Sequence, residues 1–161
     1  MMFQKRIEVD ADMKELAILS GYPLLRSHPA LLAAMIGEVS EGATEEQARG
    51  FFNAVGVRLA AMLQLTEIDD VDELVAQMNA LWDALGLGRV SLELDDEGID
   101  IIHSDLPAVL DAGDDGLWMQ AAPHILEGAY ESWFRGLGSG PTLTTRLTRA
   151  TPGLVELRHG Y

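Results

Sequence analysis

The first clear helix signal lies between residues 44 and 63. Thr44 with Gln47 three positions later forms a capping box, in which each side chain can satisfy a free amide at the helix start. The pair predicts a helix near Glu45–Leu63. Its apolar positions follow the spacing of one helix face: Ala48, Phe51, Phe52, Val55, Leu59, Met62 and Leu63.

A second capping signature opens the most regular helix of the chain. Asp70 with Glu73 repeats the pattern, and Gly86 stands where a left-handed residue commonly ends a helix. The apolar stripe between them comprises Val71, Leu74, Val75, Met78, Leu81, Trp82 and Leu85. An earlier helix is expected over Pro29–Val39, and residues 1–22 are interpreted as an arm or a short helix around Asp12–Leu19.

After residue 89 the apolar period changes from helical to two. Apolar and polar residues alternate over Val90–Leu94, which indicates a strand. A turn at Asp95–Gly98 and a second strand over Ile99–His103 follow, so this stretch predicts a hairpin. The tail alternates again on both sides of a Thr-Pro-Gly turn at Thr151–Gly153, which suits a type II turn and predicts a second hairpin.

A fourth helix is expected within Leu117–Phe134, with Pro123 in its first turn, where the missing N–H does no harm. Its stripe comprises Leu126, Ala129, Tyr130 and Trp133. The Gly-rich stretch 136–141 then forms a joint before the last hairpin. Because both sheet pieces are hairpins, the sequence predicts an α+β fold in which N-terminal helices pack with antiparallel β-hairpins, as one domain over residues 1–161.

Composition narrows the possible functions. The chain has 161 residues, 48% of them hydrophobic, and no cysteine, which excludes disulfides, Cys-based metal sites and thiol catalysis. Its net charge of −15 disfavours nucleic acid as a partner. The charge is uneven: residues 67–115 hold 15 acids and one arginine, whereas the last 27 residues hold four arginines and one acid. Such a chain offers complementary patches to a second copy, although the excess acid could equally serve solubility.

No apolar run reaches the about 18 residues that a membrane span needs, and no signal peptide is recognised behind Lys5 and Arg6. The expected location is therefore the cytoplasm, with the periplasm as the less favoured alternative.

Candidate chemistry is sparse. His103 ends a strand near Asp105 and could act as a base, but a strand-end histidine bonded to backbone is the favoured interpretation. Glu127 on the fourth helix could be catalytic, although an ion pair with an arginine is favoured. No histidine pair has metal-ligand spacing, and no glycine-rich loop has a nucleotide-binding context, so neither a metal nor another cofactor is expected.

Aromatic rings could stack on sugars. Trp82, Tyr130 and Trp133 lie on helix stripes and are expected in the core. Trp118 precedes the apolar part of its helix, beside an acidic Gly-rich loop, and is expected to be the exposed one.

Three stretches, taken in order, resemble the D-subunit family of bacterial cellulose synthase (BcsD). They are Asn79–Leu94, Ile101–Pro107 with its His-x-x-Leu-Pro element, and Trp118 followed by Ile125–Trp133 with Leu-Glu-Gly-x-Tyr-x-x-Trp. The resemblance covers about residues 70–135. The family-motif residues are Asn79, Trp82, Gly86, His103, Pro107, Glu127, Gly128, Tyr130 and Trp133.

The resemblance implies a non-catalytic accessory subunit of cellulose synthesis near the inner-membrane synthase. It implies a ring-like homo-octamer that organises synthase complexes or nascent β-1,4-glucan chains, with other synthase subunits as partners. By the same resemblance, glucan contact is expected at the N-terminal arm, at Phe3, Gln4, Lys5 and Arg6; Trp118 is added as the exposed ring.

Two other hypotheses stay open. Type III secretion chaperones are also small, acidic, cysteine-free α+β proteins, and this alternative predicts a dimer that binds an effector. A small enzyme that uses His103 with Asp105 is the third.

Overall fold

The computed structural model describes residues 27–65, 68–110 and 116–161. In this range the chain forms α1 (Ser27–Gly42), α2 (Glu45–Ala60), α3 (Val71–Leu85), β1 (Arg89–Asp95), β2 (Gly98–Ser104), α4 (Leu117–Gly136), β3 (Thr144–Thr151) and β4 (Leu154–Gly160). The four strands form one antiparallel sheet in the order β1-β2-β4-β3. The predicted α+β class is confirmed. The predicted arm and the short helix around Asp12–Leu19 lie outside the described residues.

Local sequence signals set three helix ends as predicted, whereas α2 ends at Ala60 rather than near Leu63. Thr44 caps α2 with both bonds of the capping box. Asp70 caps α3 through the Glu73 amide, while the Glu73 carboxylate accepts from the amide of Asp69. Gly86 ends α3 with φ 66°, in the left-handed region that favours glycine.

The fourth helix departs from the prediction at Pro123. The helix begins at Leu117, so the proline is its seventh residue and lies in its interior. A proline there cannot donate to the carbonyl four residues earlier, that of Met119. The helix continues because burial of the following turns against α2 and the sheet outweighs one missing hydrogen bond.

A close contact between α2 and α4 orients the second helix. A Cβ on Gly56 would lie 1.9 Å from the Ile125 carbonyl oxygen, and a Cβ on Gly128 would lie 2.0 Å from that of Asn53. The two backbones can therefore approach only because both positions are glycine. This contact turns Phe52, Gly56 and Ala60 inward. The predicted α2 stripe is wrong at two of its positions, since Phe51 is 46% exposed and Met62 is 67% exposed.

The core lies between the inner face of the sheet and the helices, and Ile36 of α1 and Phe52 and Ala60 of α2 belong to the same buried cluster as residues of α3 and α4. The predicted apolar stripes of α3 and α4 both contribute to the core, except that Leu85 of α3 is exposed. Trp82, Tyr130 and Trp133 are buried as predicted. Residues 136–140 end α4 and lead into β3, and Gly153 turns β3 into β4 with φ 82°, as the third position of a type II turn requires.

Candidate functional site

His103 belongs to a buried aromatic cluster in which Trp82 and Tyr130 each contact both His103 and Trp133. The Trp82 ring centroid is 5.2 Å from that of His103 and 5.4 Å from that of Trp133, both edge to face. This arrangement suits the quadrupoles of aromatic rings and stabilises the junction of α3, β2 and α4.

Both ring nitrogens of His103 are committed to hydrogen bonds. Nε2 is 2.6 Å from the carbonyl oxygen of Leu87, and Nδ1 is 2.6 Å from the hydroxyl of Tyr130. A carbonyl can only accept, so Nε2 carries the proton and Nδ1 accepts from Tyr130. Burial lowers the pKa of His103 to about 4, against a smaller opposing effect of the Leu87 bond. The ring is therefore neutral at physiological pH.

The proposed base pair of His103 and Asp105 does not form. Asp105 is exposed, in a left-handed conformation with φ 55°, and the hydrogen bonds of the His103 ring go to Leu87 and Tyr130. The favoured interpretation, a strand-end histidine bonded to backbone, is confirmed. Burial also raises the pKa of Tyr130 well above its ordinary value, so the hydroxyl stays protonated.

Trp118 is buried, contrary to the prediction. The residue is 3% exposed, and its indole Nε1–H donates to the Pro107 carbonyl at 2.7 Å. The bond fastens the start of α4 to the chain that follows β2, an arrangement that the acidic loop composition did not indicate. Trp133 makes a similar anchor, with Nε1–H donating to the Ala60 carbonyl at 3.1 Å.

Glu127 is a buried carboxylate surrounded by donors. Arg49 of α2 bonds it at 3.2 Å, His124 lies 2.9 Å from Oε2, and the Leu147 amide donates to Oε1 at 2.9 Å. Burial alone would raise the pKa of Glu127, but the bonds from His124 and Leu147 and the Arg49 charge outweigh it and lower the pKa. The favoured interpretation, an ion pair with an arginine, is confirmed.

An open cleft of about 470 Å³ lies above this ion pair. We call it the β3 cleft. Its lining comprises Ser40, Ala43, Glu45, Ala48, Arg49, Phe52, Met119, Gln120, Pro123, His124, Leu147 and Ala150. The lining mixes an apolar floor with Arg49, His124 and Glu45. Because Glu127 is ionised and already accepts from several donors, it is not poised to act as a general acid.

Helix side chains cap parts of both sheet edges. Asn79 bonds the amide of Val90 at 2.7 Å and its carbonyl at 3.0 Å, as a neighbouring strand would. On the opposite edge, the Thr145 amide donates to Glu131 at 3.0 Å, next to the Glu127–Leu147 bond. Sequence reasoning missed the role of Glu131, and gave Asn79 and Glu127 no part at the sheet edges, because partners 11 to 20 residues away leave no periodic signal.

The remaining expected site residues divide into two groups. The first group has structural roles described above: Gly86 ends α3, the Pro107 carbonyl anchors Trp118, and Gly128 allows the close contact between α2 and α4. Phe3, Gln4, Lys5 and Arg6 lie outside the described residues. Within the described ranges, no three histidine or acidic side chains are arranged to hold a metal ion, and no helix is long and apolar enough to cross a membrane.

The family model for the D subunit of cellulose synthase matches residues 20–160. The chain belongs to this family. The match contains every family-motif residue, from Asn79 to Trp133, and extends beyond the stretch that carried the resemblance in both directions.

Relatives in this family include two proteins of Komagataeibacter xylinus named cellulose synthase operon protein D, 34% and 32% identical to this chain. A third, from Komagataeibacter sucrofermentans and named likewise, is 32% identical. Each match spans 105 residues, 63% of this chain and 65% of the relative.

Proposed function

We propose that this protein is a non-catalytic accessory subunit of bacterial cellulose biosynthesis. The proposal depends on two observations taken together: the family to which the chain belongs and the structural use of its motif side chains. The chain belongs to the D-subunit family of cellulose synthase over residues 20–160, and its described motif side chains build the fold. His103 is neutral and bonded at both nitrogens, Glu127 is held by Arg49, and the three tryptophans are buried.

The proposed mechanism is organisation. Copies of the chain assemble into a ring-like homo-oligomer, an octamer by family resemblance, that arranges synthase complexes or nascent β-1,4-glucan chains for ordered export. The other synthase subunits are its partners, and it acts on the cytoplasmic side of the membrane that holds them. Glucan contact is assigned to Phe3–Arg6, and Trp118 has no part in it because its ring is buried.

The first test is the mass of the purified protein by light scattering after gel filtration. A particle near eight times 17.5 kDa is expected. A clean dimer would contradict the ring and favour the secretion-chaperone alternative.

The second test is a strain that lacks the protein. It should still make cellulose, but in poorly ordered form, and a plasmid copy carrying His103→Gln should restore order when the variant is folded. A strain with normal cellulose yield and morphology would refute the role, and a folded but inactive His103→Gln protein would refute its non-catalytic character. Fractionation of the same cells tests the proposed location.

A further inference from the structure

The two edge strands of the sheet differ in how far their hydrogen-bonding groups are already used. In an antiparallel ladder, residues alternate between bonding the neighbouring strand and pointing away from it. On β3, the amides of Thr145 and Leu147 point away from β4 and are bonded to Glu131 and Glu127 of α4. The start of this edge is therefore blocked against an incoming strand.

The β1 edge is capped at one end and open at the other. Asn79 bonds both backbone groups of Val90, which shows that Val90 points away from β2. By the same alternation, the backbone groups of Leu92 and Leu94 point outward too. Among the described residues none bonds them, so Leu92–Leu94 is a stretch of strand edge that the described part of the chain leaves unpaired.

The surroundings of this edge are acidic and partly apolar. Leu94 is 55% exposed on the helix-facing side of the sheet. Glu93 lies exposed on the opposite face, and Asp96 and Glu97 follow in the turn. The nearby Asp95 differs, because Arg158 bonds both of its oxygens at 2.7 and 2.8 Å.

We propose that the Leu92–Leu94 edge accepts an extended segment of a partner protein by strand addition, and that this segment alternates apolar and basic residues. Its backbone would bond Leu92 and Leu94, its apolar side chains would cover Leu94, and its basic side chains would meet Glu93 across the strands. Main-chain bonds would supply binding, and the acidic surroundings would supply selectivity.

A second copy of this chain fits the same edge poorly. Antiparallel pairing of two β1 strands with Leu92 opposite Leu94 places Glu93 opposite Glu93, and like charges directly opposite are destabilising. Shifting the pairing so that Leu92 faces Leu92 places Leu94 opposite Val90, whose backbone is already bonded to Asn79. The β3 edge of another copy is basic, but at the start of that edge the amides of Thr145 and Leu147 are already used.

The test uses three labelled peptides and fluorescence anisotropy on the full chain. The probe is a capped heptapeptide of alternating lysine and valine. A lysine–proline heptapeptide has the same charge but lacks the N–H groups of the valine positions, which would face Leu92 and Leu94. A glutamate–valine heptapeptide reverses the charge. The lysine–valine peptide alone should bind, and hydrogen exchange at the Leu92 and Leu94 amides should slow in its presence.

Variants of the edge separate backbone pairing from simple charge attraction. Leu94→Pro removes an outward amide without removing a donor from the β1–β2 ladder, and Leu94→Ala is its matched control. Losing one hydrogen bond should weaken peptide binding by about fivefold relative to Leu94→Ala. Glu93→Lys should weaken it as well.

Three results would overturn the inference: equal binding of the lysine–valine and lysine–proline peptides, equal affinity of the Leu94→Pro and Leu94→Ala variants, or no binding at all. A lower particle mass of Leu94→Pro without peptide binding would assign the edge to a second copy instead. The ring proposal is tested separately, because the wild-type particle mass does not depend on whether the peptide binds.

Discussion

The buried histidine gives the fold a specific dependence on pH. In the unfolded chain the imidazole titrates near 6.5, whereas in the fold burial lowers the pKa of His103 to about 4. Below pH 6.5 the unfolded state therefore binds more protons than the folded state, and stability falls as the pH falls. The contribution is fully present above pH 6.5, and its loss levels off below about pH 4.

The size of the effect follows from the two pKa values. Their full difference corresponds to about 3 kcal/mol, since one pKa unit is about 1.4 kcal/mol. Between pH 7.5 and pH 5.0 the expected loss from this one group is about 2 kcal/mol. Solvent does not screen this effect, because His103 has no exposed surface.

Urea unfolding followed by tryptophan fluorescence, at fixed protein concentration, measures this loss. His103→Gln is the informative variant, since glutamine can donate to Leu87 and accept from Tyr130 without titrating. Its stability should fall about 2 kcal/mol less than that of the wild type between the two pH values. The comparison also removes the contribution of His159, whose pKa is lowered by burial as well.

The matched control is His28→Gln, because His28 lies exposed on α1. This variant should keep the wild-type dependence on pH. Equal pH dependence of His103→Gln and the wild type would refute the assignment of a neutral, bonded imidazole to the folded state.

Three further substitutions test the packing. Gly128→Ala should destabilise the protein by several kcal/mol in thermal unfolding, because the new Cβ would meet backbone atoms of α2. Its control, Gly50→Ala, has open space around it and should be neutral or stabilise by up to about 1 kcal/mol. Equal effects of the two substitutions would contradict the close helix contact. Trp133→Ala should cost about 3–5 kcal/mol in urea unfolding, and a near-neutral result would mean an exposed ring. Asn79→Ala should cost about 2 kcal/mol by leaving the Val90 amide and carbonyl unpaired, and unchanged hydrogen exchange at Val90 would refute its role as an edge cap.

Much of the fold was predictable because its signals are local. The caps at Thr44 and Asp70 and the helix end at Gly86 depend on residues within four positions, and the two hairpins follow from alternation and turn residues. The predictions failed at positions where a residue distant in sequence determines the local structure or the burial. Pro123 lies inside a helix that packing sustains, and Phe51 is exposed because Gly56 turns α2.

The candidate site was predictable only in part. The burial of Trp82, Tyr130 and Trp133 follows from helix periodicity, because a stripe of large apolar residues can be covered only by a core. The burial of Trp118 could not be deduced, since its partner is a backbone carbonyl on a preceding irregular segment.

By itself, the sequence determined the elements of this protein, its α+β class and its resemblance to the family, because periodicity, caps and motifs are properties of neighbouring residues. The tertiary structure alone decided how the polar side chains are used. Arg49 reaches Glu127 across 78 positions, and Asn79 and Glu131 close parts of the sheet edges that pattern alone leaves open. The tertiary structure also decided that His103 and Glu127 are buried. The neutral state of His103 and the ionised state of Glu127 follow, because each depends on which groups the fold brings within hydrogen-bonding distance.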